Sequence, residues 1–235
     1  MFVPLHDDNS LKAIPFQYVT VFLIAANVGI FLAQASAMNL NAVISFALVP
    51  VEFLRASLGG PGTIVPPVGG IPVPETLTTI SYMFFHGDWL HLLGNMMFLW
   101  VFGDNVEDAM GHLRFAVFYI ACGVAAGLFH VFILNDSVRP LVGASGAVAG
   151  VIAAYLMLHP RVRVWVLAMK FIPLQINAAI ALGLWVAIQI FMVLTPQVGP
   201  VAWWAHIGGL IAGAVLIVLF KRSDVPLFDR GLKIS

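Results

Sequence analysis

The chain has 235 residues, of which 61% are hydrophobic and 9% are charged. Soluble globular domains carry charge on about a quarter of their residues, so this composition excludes an ordinary soluble domain and indicates a multi-span protein embedded in a lipid bilayer. Eleven basic and eleven acidic residues give a formal net charge of zero, which argues against nucleic acid as a partner. The single cysteine, Cys122, cannot form a disulfide within the chain.

Six apolar runs lie between a polar lead, residues 1–15, and a polar tail, residues 221–235. The predicted spans are residues 16–33, 89–106, 113–134, 145–158, 176–194 and 203–220. The predicted fold class is therefore an all-α membrane protein, a bundle of six transmembrane helices over residues 16–220. A cleaved signal peptide is a competing interpretation of the first run. However, that run is longer than the ~7–15 apolar residues of a signal core, and the lead is not basic.

A long irregular loop, residues 36–88, separates the first two runs. Residues 41–58 of this loop are mildly amphipathic. Residues 59–74 are so rich in glycine and proline that a regular helix or a central strand is excluded there. We expect the loop to lie on the outer face, partly embedded in the membrane interface, and not to cross the bilayer.

The distribution of basic residues predicts the orientation of the bundle. One side of the membrane would hold Lys12, Arg114, Arg161, Arg163, Lys170, Lys221, Arg222, Arg230 and Lys233. The other side would hold only Arg55 and Arg139. Because cytoplasmic loops are enriched in Lys and Arg, both termini are predicted to be cytoplasmic. The second, fourth and sixth spans then begin at the outer face.

Three short polar motifs lie near those outer ends, and they contain His91 with Asn95, Ser145 between glycines, and His206. A serine becomes a nucleophile when a base within hydrogen-bond reach takes its proton. His206 is the favoured base because it lies inside a span with no polar neighbour in sequence. A hydrogen bond to a backbone carbonyl is the structural alternative. The fourth run, ~22 Å long, is shorter than a ~30 Å hydrocarbon core, so Ser145 is predicted to lie below the membrane surface.

Glycines four residues apart follow both candidates: Gly146 and Gly150 follow the serine, and Gly209 and Gly213 follow the histidine. Small residues at this spacing let helix backbones approach closely in lipid. We therefore expect the fourth and sixth helices to pack tightly enough to join the serine to the histidine.

No acidic third member of a catalytic triad is visible, because residues 140–220 contain neither Asp nor Glu. A Ser-His dyad is therefore predicted, with His91, Asn95 and the Ser145 backbone N–H as hydrogen-bond donors to an oxyanion. An interhelical hydrogen bond is the structural alternative for Asn95. The chain has no H-E-x-x-H motif and no second intramembrane aspartate beside Asp104, so metalloprotease and aspartyl protease chemistry are unsupported. No metal or cofactor is expected.

Four motifs occur in order along the chain: HGDWLHLLGN at 86–95, GDNVE at 103–107, GASG at 143–146 and AHIGG at 205–209. With these motifs, over roughly residues 82–219, the chain resembles the rhomboid family of intramembrane serine proteases, of the prokaryotic type with a six-span core.

The resemblance implies a six-helix bundle with a water-filled cavity open to the outer face, and it makes the loop 36–88 the family's first loop. Ser145 would be the nucleophile and His206 the general base and acid. His91, Asn95 and the Ser145 N–H would form the oxyanion hole. The residues expected to have structural roles are Gly143, Gly146, Gly150, Gly209, Gly213, His86 as a structural or water-binding residue, and Glu107 as a support for the inner loop.

One departure from the family concerns the histidine. Some members carry an aromatic residue four positions after the serine, where it stacks on the imidazole, and this chain has Ala149 there. The sequence therefore leaves open which group orients His206.

The predicted function is an intramembrane serine endopeptidase that cleaves the transmembrane segments of other membrane proteins, mainly single-span ones. An α-helix hides its carbonyls in backbone hydrogen bonds, so substrates would carry helix-weakening residues near the cut. The alternative is a non-proteolytic rhomboid-fold membrane chaperone or retrotranslocation factor, which would not need Ser145 and His206 together. The absence of a long targeting extension favours a prokaryotic plasma membrane.

Overall fold

The computed structural model describes residues 3–58, 70–168, 172–195 and 201–229. In chain order the elements are β1 (Val3–Asp7), α1 (Tyr18–Ala37), α2 (Leu40–Ile44), α3 (Pro50–Ser57), α4 (Glu75–Ser81), a 3-10 turn (Tyr82–Phe84), α5 (Trp89–Met110), α6 (His112–Ile133), α7 (Ser145–Leu158), β2 (Arg163–Ala168), β3 (Ile172–Asn177), α8 (Ala178–Val193) and α9 (Trp203–Phe220).

Each of the six predicted apolar runs coincides with a helix, namely α1, α5, α6, α7, α8 and α9. Among the described helices, α1, α6 and α9 are long and apolar enough to cross a membrane. Helices α7 and α8 are apolar but have only 14 and 16 residues, and α5 carries three acidic residues near its C-terminal end. The chain is thus a mostly helical membrane protein, and the count of six spans stays a prediction.

The expectation of an all-α chain is wrong for the polar lead and for the connection before the fifth apolar run. Strands β1, β2 and β3 form an antiparallel sheet in that order. The side chains of β2 alternate, because Val164 and Val166 are buried while Arg163 and Trp165 are exposed. Such alternation is typical of a strand with one buried face. As a consequence, the fifth helix begins at Ala178 and not at residue 176.

The long loop, residues 36–88, contains the three short helices α2, α3 and α4. Residues 59–69, most of its glycine- and proline-rich stretch, lie outside the described part of the chain. An antiparallel bridge between Leu48 and Leu141 ties the loop to the segment before α7, with N–O distances of 3.0 and 2.9 Å. The loop therefore helps to hold the approach to α7, and its location in the membrane interface stays a prediction.

Helix α5 has clear end signals that set the position of its first turn. The Asp88 side chain accepts a hydrogen bond from the backbone N–H of His91 at 2.8 Å, which caps the N-terminus. At the other end, Gly111 adopts a φ of 82°, a conformation that favours glycine, and α6 begins at the next residue.

Helix α7 lies at the centre of the bundle, packed against α5, α6, α8 and α9. Its contact with α9 leaves no space for a side chain at two positions of α9, Gly209 and Gly213. A Cβ atom on Gly209 would lie 1.9 Å from the Gly146 carbonyl oxygen, and one on Gly213 would lie 2.2 Å from the Gly150 carbonyl oxygen. The two glycine pairs of the sequence therefore face each other across one helix interface.

Two acidic side chains of α5 anchor the beginning of the chain. The fully buried Glu107 accepts hydrogen bonds from the backbone N–H groups of Val19 and Thr20, at 3.0 and 2.8 Å, and also contacts His112. Asp108 accepts three hydrogen bonds from backbone N–H groups of residues 12–14. A carboxylate at the N-terminus of α1 satisfies N–H groups that have no acceptor within the helix.

The end of β1 is held by a buried carboxyl group, Asp7. The Tyr155 hydroxyl and the Asn105 side-chain amide both donate to it. Burial raises the pKa of Asp7 from 3.8 to about 7, the hydrogen bond from Tyr155 opposes this rise, and the nearby Asp104 adds to it. At a pH between these two pKa values, the Asp7 carboxylate therefore binds a proton when the chain folds.

Because the ionised form of Asp7 is disfavoured in the folded state, stability should fall as pH rises from about 4 to about 7, by up to about 4 kcal/mol. We expect Asp7→Asn, which can still accept both hydrogen bonds, to remove this fall and to raise the melting temperature at pH 8. The measurement is thermal unfolding in mild detergent between pH 4 and pH 8. Asp8→Asn, the same change at an exposed neighbour, is the control and should keep most of the native pH dependence, because Asp8 is the smallest of the influences that raise the pKa of Asp7. Parallel curves for Asp7→Asn and the native protein would contradict the assignment.

The close packing of α7 against α9 leads to a second prediction. Gly213→Ala should lower the free energy of unfolding by about 1–3 kcal/mol, because the added methyl group meets backbone that cannot move aside. Gly29→Ala on α1 is the matched control, since nothing lies within 4 Å of the new Cβ. That change should be neutral or stabilising by up to about 1 kcal/mol. Unfolding in detergent tests both variants, and equal stabilities would contradict the packing argument.

Candidate active site

The segment before α7 places Ser145 at the first residue of that helix. Gly143 has a φ of 119°, a conformation that favours glycine, and its N–H donates to the Tyr82 carbonyl at 2.9 Å. A Cβ atom on Gly143 would also lie 2.6 Å from the imidazole of His91. Both the backbone conformation and the close approach therefore require glycine here, and they bring His91 beside the turn that leads to the serine.

Ser145 meets His206 across the α7–α9 interface. The Ser145 Oγ lies 2.9 Å from His206 Nε2, although the two residues are 61 positions apart in sequence. His206 is buried and Ser145 is half-buried. The structure therefore brings together the two residues that the sequence analysis assigned as nucleophile and base.

The other nitrogen of the histidine contacts a residue that the sequence analysis missed. His206 Nδ1 lies 2.7 Å from the side-chain oxygen of Gln189 on α8, and Gln189 is only 3% exposed. The Gln189 amide nitrogen donates to the Trp185 carbonyl at 3.1 Å. Gln189 is neither Asp nor Glu, the residues expected as the third member of a triad. A signal was present, however, because Gln189 is the one amide side chain in the otherwise apolar α8.

Two aromatic rings flank His206, although Ala149 supplies no ring at the position where some family members stack one on the imidazole. The Trp185 ring on α8 lies 6.0 Å from the imidazole, centroid to centroid, at an angle of 30°. The Trp203 ring, one turn earlier on α9, lies 5.8 Å away at 83°. The imidazole is thus oriented by two tryptophans and one amide.

Helix α5 contributes His91 and Asn95, one turn apart on the same face. The side-chain nitrogen of Asn95 is buried and has no hydrogen-bond partner among the described residues. The His91 ring packs edge-on against the ring of His86, with 5.1 Å between centroids. Helix α5 therefore carries a buried amide donor that has no acceptor among the described residues. In folded proteins this arrangement is rare and is often associated with function.

His86 connects the turn before Ser145 to helix α1. Its side-chain Nε2 lies 3.5 Å from the backbone N–H of Ala144, and its own backbone N–H and carbonyl are held by the Gln34 amide, at 3.3 and 2.6 Å. The residue is completely buried. Its contacts fit a structural role.

The same two glycines of α7 whose carbonyl groups contact α9 also allow α6 to approach the site. A Cβ atom on Gly146 would lie 2.6 Å from the Cβ of Ala126, and one on Gly150 would lie 2.6 Å from Cys122. Glu107, the remaining candidate of the sequence analysis, lies at the far end of α5 and supports α1 instead of the site. Within the described ranges, no three His, Cys, Asp or Glu side chains are close enough together to hold a metal ion.

A search of protein families gives a match to the family described as Rhomboid domain, over residues 74–223. RHOMBOID-like protein 5 of Arabidopsis thaliana is 30% identical over 151 residues, which cover 64% of this chain and 46% of that protein. Rhomboid-related protein 2 of Mus musculus is 33% identical over 161 residues, or 65% of this chain and 51% of that protein. Rhomboid-like protein 11, chloroplastic, of Arabidopsis thaliana is 27% identical over 174 residues, or 69% of this chain and 59% of that protein.

The chain spans about half the length of these curated relatives, all of which are eukaryotic. The family match covers more than half of the present chain and includes the whole region from α5 to α9 that forms the site. On this match, the chain belongs to the rhomboid family.

Proposed function

We propose that this protein is an intramembrane serine endopeptidase that uses a Ser-His dyad to cleave the transmembrane segments of other membrane proteins. The observation that carries the proposal is the 2.9 Å contact between Ser145 Oγ and His206 Nε2. A hydrogen bond of this length allows the imidazole to take the hydroxyl proton as the oxygen attacks a carbonyl. Membership of the rhomboid family supports this assignment.

In the proposed reaction, the Ser145 oxygen bonds to the carbonyl carbon of the substrate while His206 Nε2 takes the hydroxyl proton. The resulting tetrahedral intermediate collapses, the C–N bond breaks, and His206 gives the proton to the departing amine. Water then attacks the acyl-enzyme by the same route, with His206 again acting as base and then acid. The chain returns to its starting protonation state with no metal or cofactor required.

The oxyanion of the intermediate needs hydrogen-bond donors that are already in place. The Ser145 backbone N–H lies at the first position of α7, where an N–H has no acceptor within the helix. It is also part of the positive end of the helix dipole. The unpartnered side-chain nitrogen of Asn95 and the neighbouring imidazole of His91 are the other two proposed donors.

The finer topology also belongs to this proposal. We expect α1, α5, α6, α7, α8 and α9 to be six spans, with both termini cytoplasmic and the dyad opening to the outer face, as the basic residues predict. Substrates would be membrane proteins with single spans, entering from the bilayer. A prokaryotic plasma membrane is the proposed location.

The primary test compares the native protein with Ser145→Ala and His206→Ala, using a single-span substrate in liposomes and a fluorophosphonate probe. We expect the native protein to cleave the substrate and to be labelled at Ser145. Both variants should keep the native melting temperature while cleavage falls at least ~10³-fold, because each removes an atom that the reaction requires. Equal cleavage by all three proteins would exclude the dyad. No cleavage and no labelling of the native protein would instead favour the membrane chaperone.

A second test addresses the oxyanion hole. Asn95→Ala should lower kcat by about 10²–10³-fold with little change in KM, because the lost donor acts on the transition state. Asn27→Ala is the matched control. Asn27 is equally a buried asparagine in an apolar helix, but its side-chain nitrogen donates only to the Leu23 carbonyl of its own helix. That variant should keep kcat within about twofold of the native value. A native kcat in Asn95→Ala would remove this residue from the reaction.

A further inference from the structure

We propose that Gln189 is a positioning residue that fixes the tautomer of His206, so that Nε2 is free to accept the proton of Ser145. This inference rests on the proposed function and adds a third, uncharged member to the dyad. Gln189 touches neither the substrate nor the reacting atoms and acts only through the histidine. The relevant contacts are on three helices: α7, α8 and α9.

The orientation of the Gln189 amide follows from its second contact. The Trp185 backbone carbonyl, one turn earlier on α8, can only accept a hydrogen bond, so the group facing it at 3.1 Å must be the amide NH₂. The amide oxygen then faces His206 Nδ1 at 2.7 Å. The opposite orientation would set two oxygens against each other at Trp185. Helix α8 therefore supplies its own constraint on the direction of the amide.

An amide oxygen can accept a hydrogen bond but cannot donate one. The 2.7 Å contact therefore requires a hydrogen on Nδ1, and in neutral imidazole this leaves Nε2 with a lone pair. That lone pair faces the Ser145 hydroxyl at 2.9 Å. The chain of contacts from the Trp185 carbonyl to the serine thus runs in one direction, with every donor matched to an acceptor.

The wrong tautomer would stop the reaction. If the amide nitrogen faced His206 and donated to Nδ1, the hydrogen would move to Nε2, and the imidazole could no longer act as a base toward the serine. In soluble Ser-His-Asp proteases, an amide in place of the aspartate has this effect and lowers kcat by about 10⁴-fold. Here the Trp185 carbonyl prevents it, which explains how an amide can serve where those enzymes use a carboxylate.

The apolar surroundings favour an uncharged third member. Helices α7 and α8 contain no Asp, Glu, Lys, Arg or His, and the other titratable groups that act on His206 are His91 on α5 and His130 on α6. A carboxylate within an apolar bundle is disfavoured unless it is paired with a positive charge, and the described parts of α7 and α8 offer no Lys or Arg for such a pair. The amide orients the imidazole without introducing charge.

The first experiment needs no variant. The ¹⁵N NMR spectrum of histidine-labelled protein in micelles, assigned by comparison with His206→Ala, distinguishes a protonated from an unprotonated ring nitrogen. We expect His206 in the native protein to carry its hydrogen on Nδ1. A hydrogen on Nε2 would overturn the proposal. Because this measurement reads the tautomer directly, it remains decisive even if the protein proves not to be a protease.

The second experiment removes the acceptor while keeping the shape of the side chain. Gln189→Met should lower kcat by about 10²–10⁴-fold with KM within about twofold, and the ¹⁵N spectrum should lose the pure Nδ1–H form. Ile188→Met, the same new side chain at an exposed neighbour on α8, is the control and should keep the native kcat. A native kcat in a folded Gln189→Met protein would overturn the proposal.

The third variant tests rescue and has a pH readout. Gln189→Glu keeps an oxygen acceptor at the same position, so its kcat should stay within about tenfold of native. A carboxylate beside the imidazole stabilises the imidazolium form, so the acid limb of the kcat/KM profile should move to higher pH by about one unit or more. A Gln189→Glu protein as inactive as Gln189→Met would overturn the proposal, because a side chain of the same shape with an oxygen acceptor would then fail to support His206.

Discussion

The contact between the backbones of α7 and α9 is the constraint on which the candidate site depends. Carbonyl oxygens of α7 lie only 1.9 and 2.2 Å from the positions that Cβ atoms on Gly209 and Gly213 would occupy. The two helices can therefore approach this closely only because α9 has glycine at both positions. Ser145 begins α7, and His206 lies one turn before the first of these glycines. The helix contact therefore sets the distance between them, and no flexible loop has to hold the dyad together.

Buried polar groups tie the other elements to this central pair of helices. Glu107 on α5 holds the N-terminus of α1, and Asp7 at the end of β1 accepts from Tyr155 on α7. Each satisfies a hydrogen bond that an apolar environment would otherwise leave unmade at considerable cost. Asn95 differs, because its side-chain nitrogen has no acceptor in the described part of the chain. An unsatisfied donor on the helix that also carries His91 is what the proposed oxyanion hole requires before the substrate arrives.

The surroundings of His206 show how the same chemistry can be supported by different neighbours. Ala149 provides no ring for the imidazole, and Trp185 and Trp203 approach it from α8 and α9 instead. The Gln189 amide adds a directed hydrogen bond without charge. Helix α8 thereby contributes both an aromatic contact and a polar contact to His206, which itself lies on α9 and contacts Ser145 on α7. The Gln189 contact thus supports the histidine without adding a charge to its apolar surroundings.

The sequence by itself determined the apolar helices, because long apolar runs have few alternatives in lipid, and it indicated the pairing of Ser145 with His206 through the glycine spacing. The alternation in β2 was also readable, although a short strand between two apolar helices is easily taken for a loop. Only the tertiary structure decided that Gln189 contacts His206. An amide can donate or accept and can pair with many groups, so its partner depends on how α8 is rotated and placed against α9, and sequence spacing does not specify either.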